Sequence, residues 1–115
     1  MLIEKGADVN ARNEDQWTPL HYAALAGNTE VAALLIEKGA DVNARGVIQK
    51  TPLHWAAFAG NTEVAALLIG KGAEVNARDA NGKTALDWAD FAGNAEVSAL
   101  LIEKGADVNA PNGRH

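Results

Sequence analysis

Thr18-Pro19-Leu20-His21 returns as Thr51-Pro52-Leu53-His54 and, altered, as Thr84-Ala85-Leu86-Asp87. Aligning Thr18–Lys50 with Thr51–Lys83 leaves 25 of 33 positions identical. Gly6, Gly39, Gly72 and Gly105 keep the same 33-residue spacing, so the register runs through nearly the whole chain. A fixed period of that length marks stacked supersecondary units. Three full units begin at Thr18, Thr51 and Thr84, preceded by a partial one.

Each unit reads as two short helices. Thr18 can cap free amides, and Pro19 at the first helical position lacks an amide that would be unpaired there anyway. Leu20 to Ala26 then ends at Gly27, which suits the left-handed conformation that closes helices. Asn28 can cap the next helix, and Glu30 in its first turn favours the helix dipole. Val31, Leu34 and Leu35 share one side, and Gly39 terminates the segment. Neither helix is long enough to persist alone in water. Small Ala23, Ala24, Ala26, Ala32 and Ala33 let neighbouring helices approach, so stability must come from unit stacking on unit.

Thr18-Pro19-Leu20-His21, Thr51-Pro52-Leu53-His54, Gly39-Ala40-Asp41-Val42-Asn43-Ala44 and the 33-residue period together resemble the ankyrin repeat family. That resemblance implies an all-α solenoid of stacked antiparallel helix pairs with hairpin-like loops. It also implies a concave binding face built from first helices and loop tips. In this register the chain is one domain over 1–115. It comprises a partial repeat and loop (1–17), repeats at 18–50 and 51–83, a capping-type repeat at 84–110, and a tail (111–115).

Two departures from the pattern matter. Asp87 and Asp90 replace His54 and Ala57, so a polar outer face is expected on the last unit, as a solenoid end requires. The opposite end has no such equivalent, and either a truncated chain or end-to-end self-association through that uncapped N-terminal end is the expectation. Gln16 and Gln49 stand where the third loop carries Gly82, which leaves the geometry of those two loops open.

Composition narrows the function classes. The net charge is −5, with 15 acids against 10 bases. No Lys/Arg cluster is present for a phosphate backbone, so nucleic acid is not the expected partner. The longest apolar run, Val31 to Ile36, is far too short for a membrane span. No cysteine is present, which removes thiolate metal sites and cysteine nucleophiles and fits a reducing cytoplasm.

Nothing points to catalysis or to a cofactor. His21 and His54 share a slot in successive units, and repeat spacing keeps them too far apart for one zinc ion. Each is expected to hydrogen-bond near its own Thr-Pro turn. Ser98 is the only serine and lies in a helical run, not a nucleophile elbow.

What remains is a protein-binding role through surface that varies on a constant frame. Four of the differences between the first two units lie in one loop and two on the first helix. Loop tips 13–17, 46–50 and 79–83 contribute Glu14, Asp15 and Trp17, then Val47, Ile48 and Lys50, then Asn81 and Lys83. Leu25, Phe58 and Phe91 share a slot beside the helix-ending glycine and are expected to be exposed on the concave side. Tyr22, Trp55 and Trp88 share another, assigned to the core between units, with the binding face as the alternative. Each set is expected to stack as its own ladder. Exposed contiguous apolar area marks interaction sites, and aromatic anchors carry much of interface energy. Two other readings stay open: an engineered scaffold with no natural partner, and a self-associating repeat protein.

Overall fold

The computed structural model describes residues 9–108. Among them are six α-helices in three hairpins, and no strand. Helix α1 (Pro19–Ala26) pairs with α2 (Thr29–Glu37), α3 (Pro52–Ala59) with α4 (Thr62–Gly70), and α5 (Ala85–Ala92) with α6 (Ala95–Glu103). First helices pack on first helices in the order α1, α3, α5, and second helices in the order α2, α4, α6. The fold is therefore the all-α repeat stack that the period implies.

The starts of the first helices are fixed by reciprocal capping. Thr18 Oγ1 accepts from the His21 amide at 3.3 Å, while the Thr18 amide donates to His21 Nδ1 at 3.1 Å. Thr51 and His54 repeat the arrangement at 3.4 and 3.0 Å. In the third unit Asp87 Oδ2 takes the histidine's place, accepting from the Thr84 amide at 2.9 Å. Asp87 therefore does not contribute to a polar outer face as expected. It is 8% exposed, because its carboxylate is needed at the cap.

The helix ends join one unit to the next. Gly27 and Gly60 both adopt the left-handed conformation, at φ 75° and 76°. Above them sit the side chains of Asn61 and Asn94. Asn61 Nδ2 donates to the Ala24 and Leu25 carbonyls at 2.7 and 3.1 Å. Asn94 Nδ2 donates to those of Ala57 and Phe58 at 2.8 and 2.9 Å. A Cβ on Gly60 would meet Asn94 Oδ1 at 2.9 Å, so glycine serves both the turn and the junction. Farther along, Asn43 Nδ2 donates to the Gly72 carbonyl at 3.1 Å and its Oδ1 accepts from the Glu74 amide at 2.7 Å. Asn76 treats Gly105 and Asp107 in the same way. Carbonyls at the ends of first helices are thus satisfied by the following unit, and those of Gly72 and Gly105, after second helices, by the preceding one.

Between the units lies a core of leucine and alanine. Leu20, Leu53, Leu86, Leu35, Leu68 and Leu101 are all but completely buried. Ala24 and Ala57, with Ala32 and Ala65, are sealed against the next unit. The corresponding positions in the third unit are Asp90 and Ser98, where the Ser98 hydroxyl donates to Asp90 Oδ1 at 2.7 Å. That polar pair stands where a further copy of the internal junction would need two alanines.

Fully burying a leucine contributes about 1.5–3 kcal/mol, and truncation to alanine adds a cavity penalty. Leu53→Ala is expected to cost about 3 kcal/mol in urea denaturation, against less than about 1 kcal/mol for Leu25→Ala on the exposed side of α1. Equal losses at the two positions would contradict this assignment of the core.

Candidate functional site

Three loops precede the three first helices, and one position decides how each is built. In the third loop Asp79 Oδ1 accepts from the Asn81 and Lys83 amides, both at 2.9 Å. In the first loop Asn13 Oδ1 does the same for Asp15 and Trp17, at 2.9 and 3.0 Å. The second loop has Gly46 there, and no side chain to accept. All three still close as hairpins, with the first residue's amide bonded to the last residue's carbonyl at 3.0, 2.8 and 2.9 Å. Gln16 and Gln49 adopt left-handed φ values of 67° and 59°, beside 77° for Gly82. Glutamine thus enters the conformation usually left to glycine.

Without its side-chain acceptor, the second loop takes a different path. Val47–Gln49 forms a short 3₁₀ turn in which Ile48 also turns left-handed, at φ 57° and ψ 29°. For a β-branched residue that conformation is strained, at a cost of about 1–3 kcal/mol. Gly46 itself is forced: a Cβ there would lie 2.9 Å from His21 Nε2. The Ile48 carbonyl accepts from the Ala80 amide at 2.9 Å, tying this loop to the next. Its side chain is 49% exposed.

The histidines support these loops. Because the Thr18 amide donates to Nδ1, the proton of neutral His21 sits on Nε2, which faces the Ala44 and Lys50 carbonyls at 3.1 and 3.0 Å. His54 Nε2 reaches the Lys83 carbonyl at 2.9 Å. Both ring nitrogens of each are occupied, which leaves no lone pair for a metal. The expected local bond is present, and the second bond to the following loop is an addition.

Along the same side runs an aromatic row. Trp17 lies against Tyr22 and Trp55, with ring centroids 4.9 and 4.8 Å away. Trp55 meets Phe58 edge to face at 6.3 Å, Phe58 meets Trp88 at 5.9 Å, and Trp88 meets Phe91 at 5.7 Å. The two expected ladders are therefore one interleaved row, because edge-to-face contact suits the ring quadrupoles better than a sandwich. Trp55 and Trp88 are half-buried, while Tyr22 is 44%, Phe58 39% and Phe91 76% exposed.

A family model for ankyrin repeats (3 copies) matches residues 46–112, more than half of the chain. A second, for ankyrin repeats (many copies), matches residues 1–36. The chain belongs to the ankyrin repeat family. It is similar to Ankyrin repeat domain-containing protein 49 of Mus musculus, at 55% identity over 31 residues, covering 27% of this chain and 13% of that protein. It is also similar to the Putative ankyrin repeat protein FPV244 of Fowlpox virus (strain NVSL), at 54% over 35 residues, covering 30% and 5%. The chain thus spans only a small part of either relative. Ankyrin repeats are generally protein–protein interaction modules and typically not enzymes. Among the described residues, no helix is long and apolar enough to cross a membrane.

In this ankyrin stack one sequence-selected residue is out of reach of a partner. Lys50 is 5% exposed. Its Nζ pairs with Asp79 Oδ2 at 2.7 Å and lies over the Trp88 ring, 4.3 Å from the centroid. Asp79, one loop later, draws it inward. The same Asp79 oxygen accepts from Trp88 Nε1 at 2.9 Å. One repeat earlier, Gly46 offers no such oxygen, and Trp55 Nε1 is buried with no hydrogen-bond partner. Two repeats earlier, Asn13 Nδ2 donates to the Tyr22 hydroxyl at 2.6 Å.

The other selected residues divide by exposure. Glu14, Asp15, Leu25, Ile48, Phe58, Asn81 and Phe91 are exposed, and Trp17, Val47 and Lys83 half-buried. The row brings Trp17, Phe58 and Phe91 together. Sequence selection left Tyr22 out, although its shared slot with Trp55 and Trp88 was visible.

Two titrations follow from these environments. Burial pushes His21 and His54 below 6.5, against the carbonyl hydrogen bonds that raise them. Their contribution is thus complete above about pH 6.5 and is lost as pH falls below it. Burial opposes ionisation of Asp79 too, but Lys50, the Lys83 and Asn81 amides and Trp88 outweigh it and lower the carboxyl from 3.8 to about 2. That difference corresponds to about 2 kcal/mol, present above about pH 4 and lost as pH falls towards 2. Urea midpoints measured across pH should fall in both windows for the native chain. Asp79→Asn should lower the neutral-pH stability by about 2 kcal/mol or more and flatten the acid window only. An unchanged acid window in Asp79→Asn would refute the role given to this pair.

Proposed function

We propose that the chain is a non-enzymatic protein-binding module whose partner lies along the aromatic row and across the loop tips. One observation carries the reading: Phe58 and Phe91, with Tyr22 at the far end, remain exposed in one continuous row along the stack. Exposed apolar surface of that kind weakens solubility unless something covers it. The face comprises Tyr22, Leu25, Phe58 and Phe91 of the first helices. Trp17, Val47, Ile48, Glu14, Asp15, Asn81 and Lys83 of the loops complete it. Strained, exposed Ile48 supports the same reading, since a residue better suited to the turn would cost less. Pre-stacked helices would bind with little ordering cost. Absence of cysteine supports placing this module in the reducing cytoplasm.

The N-terminal end, at which the sequence predicts end-to-end self-association, lies outside the described residues. One arrangement of it, in the register of the internal junctions, is disfavoured. It would bury Asp90 and Ser98 where Ala24, Ala57, Ala32 and Ala65 are sealed.

The test is to pan a displayed random-peptide library against the chain and remeasure the selected binders on variants. Phe91→Ala and Phe58→Ala are each expected to weaken them by about tenfold or more, and Leu34→Ala, exposed on α2, to leave them unchanged. Binders indifferent to Phe58 and Phe91 would overturn the assignment.

A further inference from the structure

We infer that the second loop is a two-state element. It holds a strained turn in the free chain and can pass into the turn of the first and third loops, and the aromatic row beside it responds to the change.

Three observations meet at this loop. Ile48 and Gln49 are both left-handed, whereas each sister loop has one such residue, Gln16 or Gly82, and Asp15 and Asn81, at the place of Ile48, are not. Trp55 Nε1 is buried without a hydrogen-bond partner, whereas Trp88 Nε1 meets Asp79 Oδ2 at 2.9 Å. Only glycine at 46 permits the observed turn, since a Cβ would lie 2.9 Å from His21 Nε2 and 3.0 Å from the Gln16 carbonyl oxygen. The strained residue and the unpaired donor both raise the free energy of the same arrangement.

The alternative turn leaves the frame as it is. All three loops close with the same first-to-last hairpin bond. The bond between His21 Nε2 and the Lys50 carbonyl has its counterpart between His54 and Lys83. What the observed turn has in addition is the bond from the Ala80 amide to the Ile48 carbonyl, at 2.9 Å, and its loss opposes the change. Two arrangements with opposing gains and losses of this kind make a switch. Lys50, which ends the loop, has its Nζ 5.8 Å from the Trp55 ring centroid, and Trp55 in turn meets Trp17 and Phe58. The turn is thereby linked to the row.

One substitution made in two backgrounds decides the matter, read from urea midpoints. Glycine suits a left-handed residue and costs backbone entropy elsewhere. Ile48→Gly is therefore expected to raise the midpoint of the native chain. Gly46→Asp adds a Cβ that the observed turn excludes, together with the carboxylate that the third loop uses. It is expected to hold the alternative turn, with a midpoint at or above the native one. In that background Ile48→Gly is expected to lower the midpoint. By NMR, the Trp55 indole proton should exchange with solvent at least about tenfold more slowly in Gly46→Asp than in the native chain. The same sign for Ile48→Gly in both backgrounds would overturn the inference, as would a Gly46→Asp chain less stable than the native one, or equal exchange at Trp55.

The link to the row has its own arm, which alone rests on reading this face as a protein-binding one. Peptides selected on Gly46→Asp are expected to bind the native chain at least about tenfold more weakly, because only a fraction of it holds the required turn. Gly46→Ala, which has the Cβ without the carboxylate, should bind them as tightly as Gly46→Asp does. Equal binding to the native chain would overturn the link. Peptides indifferent to Phe58→Ala and Phe91→Ala would remove the face, while the reversal of sign at Ile48 would leave the two turns standing.

Discussion

A helix of eight or nine residues does not persist alone in water, and each of the six α-helices among the described residues has that length. Each therefore depends on apolar surface supplied by the unit beside it. The leucines at 20, 53 and 86 and at 35, 68 and 101 supply it, while the alanines between them set how closely the backbones approach. Asn61 and Asn94 then satisfy carbonyls that the preceding helix leaves open. Remove the neighbour and both the apolar and the polar support vanish together. Stability is collective along the stack.

That dependence also makes the outer face rigid. Every first helix is clamped by its capping threonine, by a neighbouring unit and by the histidine or aspartate at its third position. The side chains left over are consequently held in place at no further ordering cost. Phe91 and Phe58 project from such helices, and Trp17 is pinned among Tyr22, His21 and Trp55. In the proposed role, such a surface would gain affinity by being formed before the partner arrives.

The three loops show how one position tunes that surface. With asparagine at 13 or aspartate at 79, a side chain orders the loop and bonds the ring nine residues on. With glycine at 46 the loop retracts towards His21, Ile48 is strained, and the Trp55 nitrogen goes unpaired. Buried donors without partners and β-branched residues in left-handed conformations both lower stability. Their concentration beside the aromatic row fits a surface where folding efficiency is not the sole constraint.

The repeat, helix boundaries and capping threonines were legible in the amino-acid sequence, and so was the leucine core apart from Leu34, which helical spacing groups with Leu35 but which is exposed. Each follows from rules acting over a few residues, or from the period itself. Phe58 and Phe91 could be placed on the outside from their slot beside a helix-ending glycine. Lys50 could not be placed, because its partner Asp79 lies 29 residues away and is reached only when two loops are laid side by side. Nor could Asp87, whose charge suggested an exposed cap until the fold put it under the Thr84 amide. The interleaving of two aromatic sets into one row depended on ring orientations that linear spacing does not encode. Local chemistry and periodicity determined the frame. Which polar and aromatic side chains meet was decided only by contact between units, because burial and distance across a junction exist only in the assembled stack.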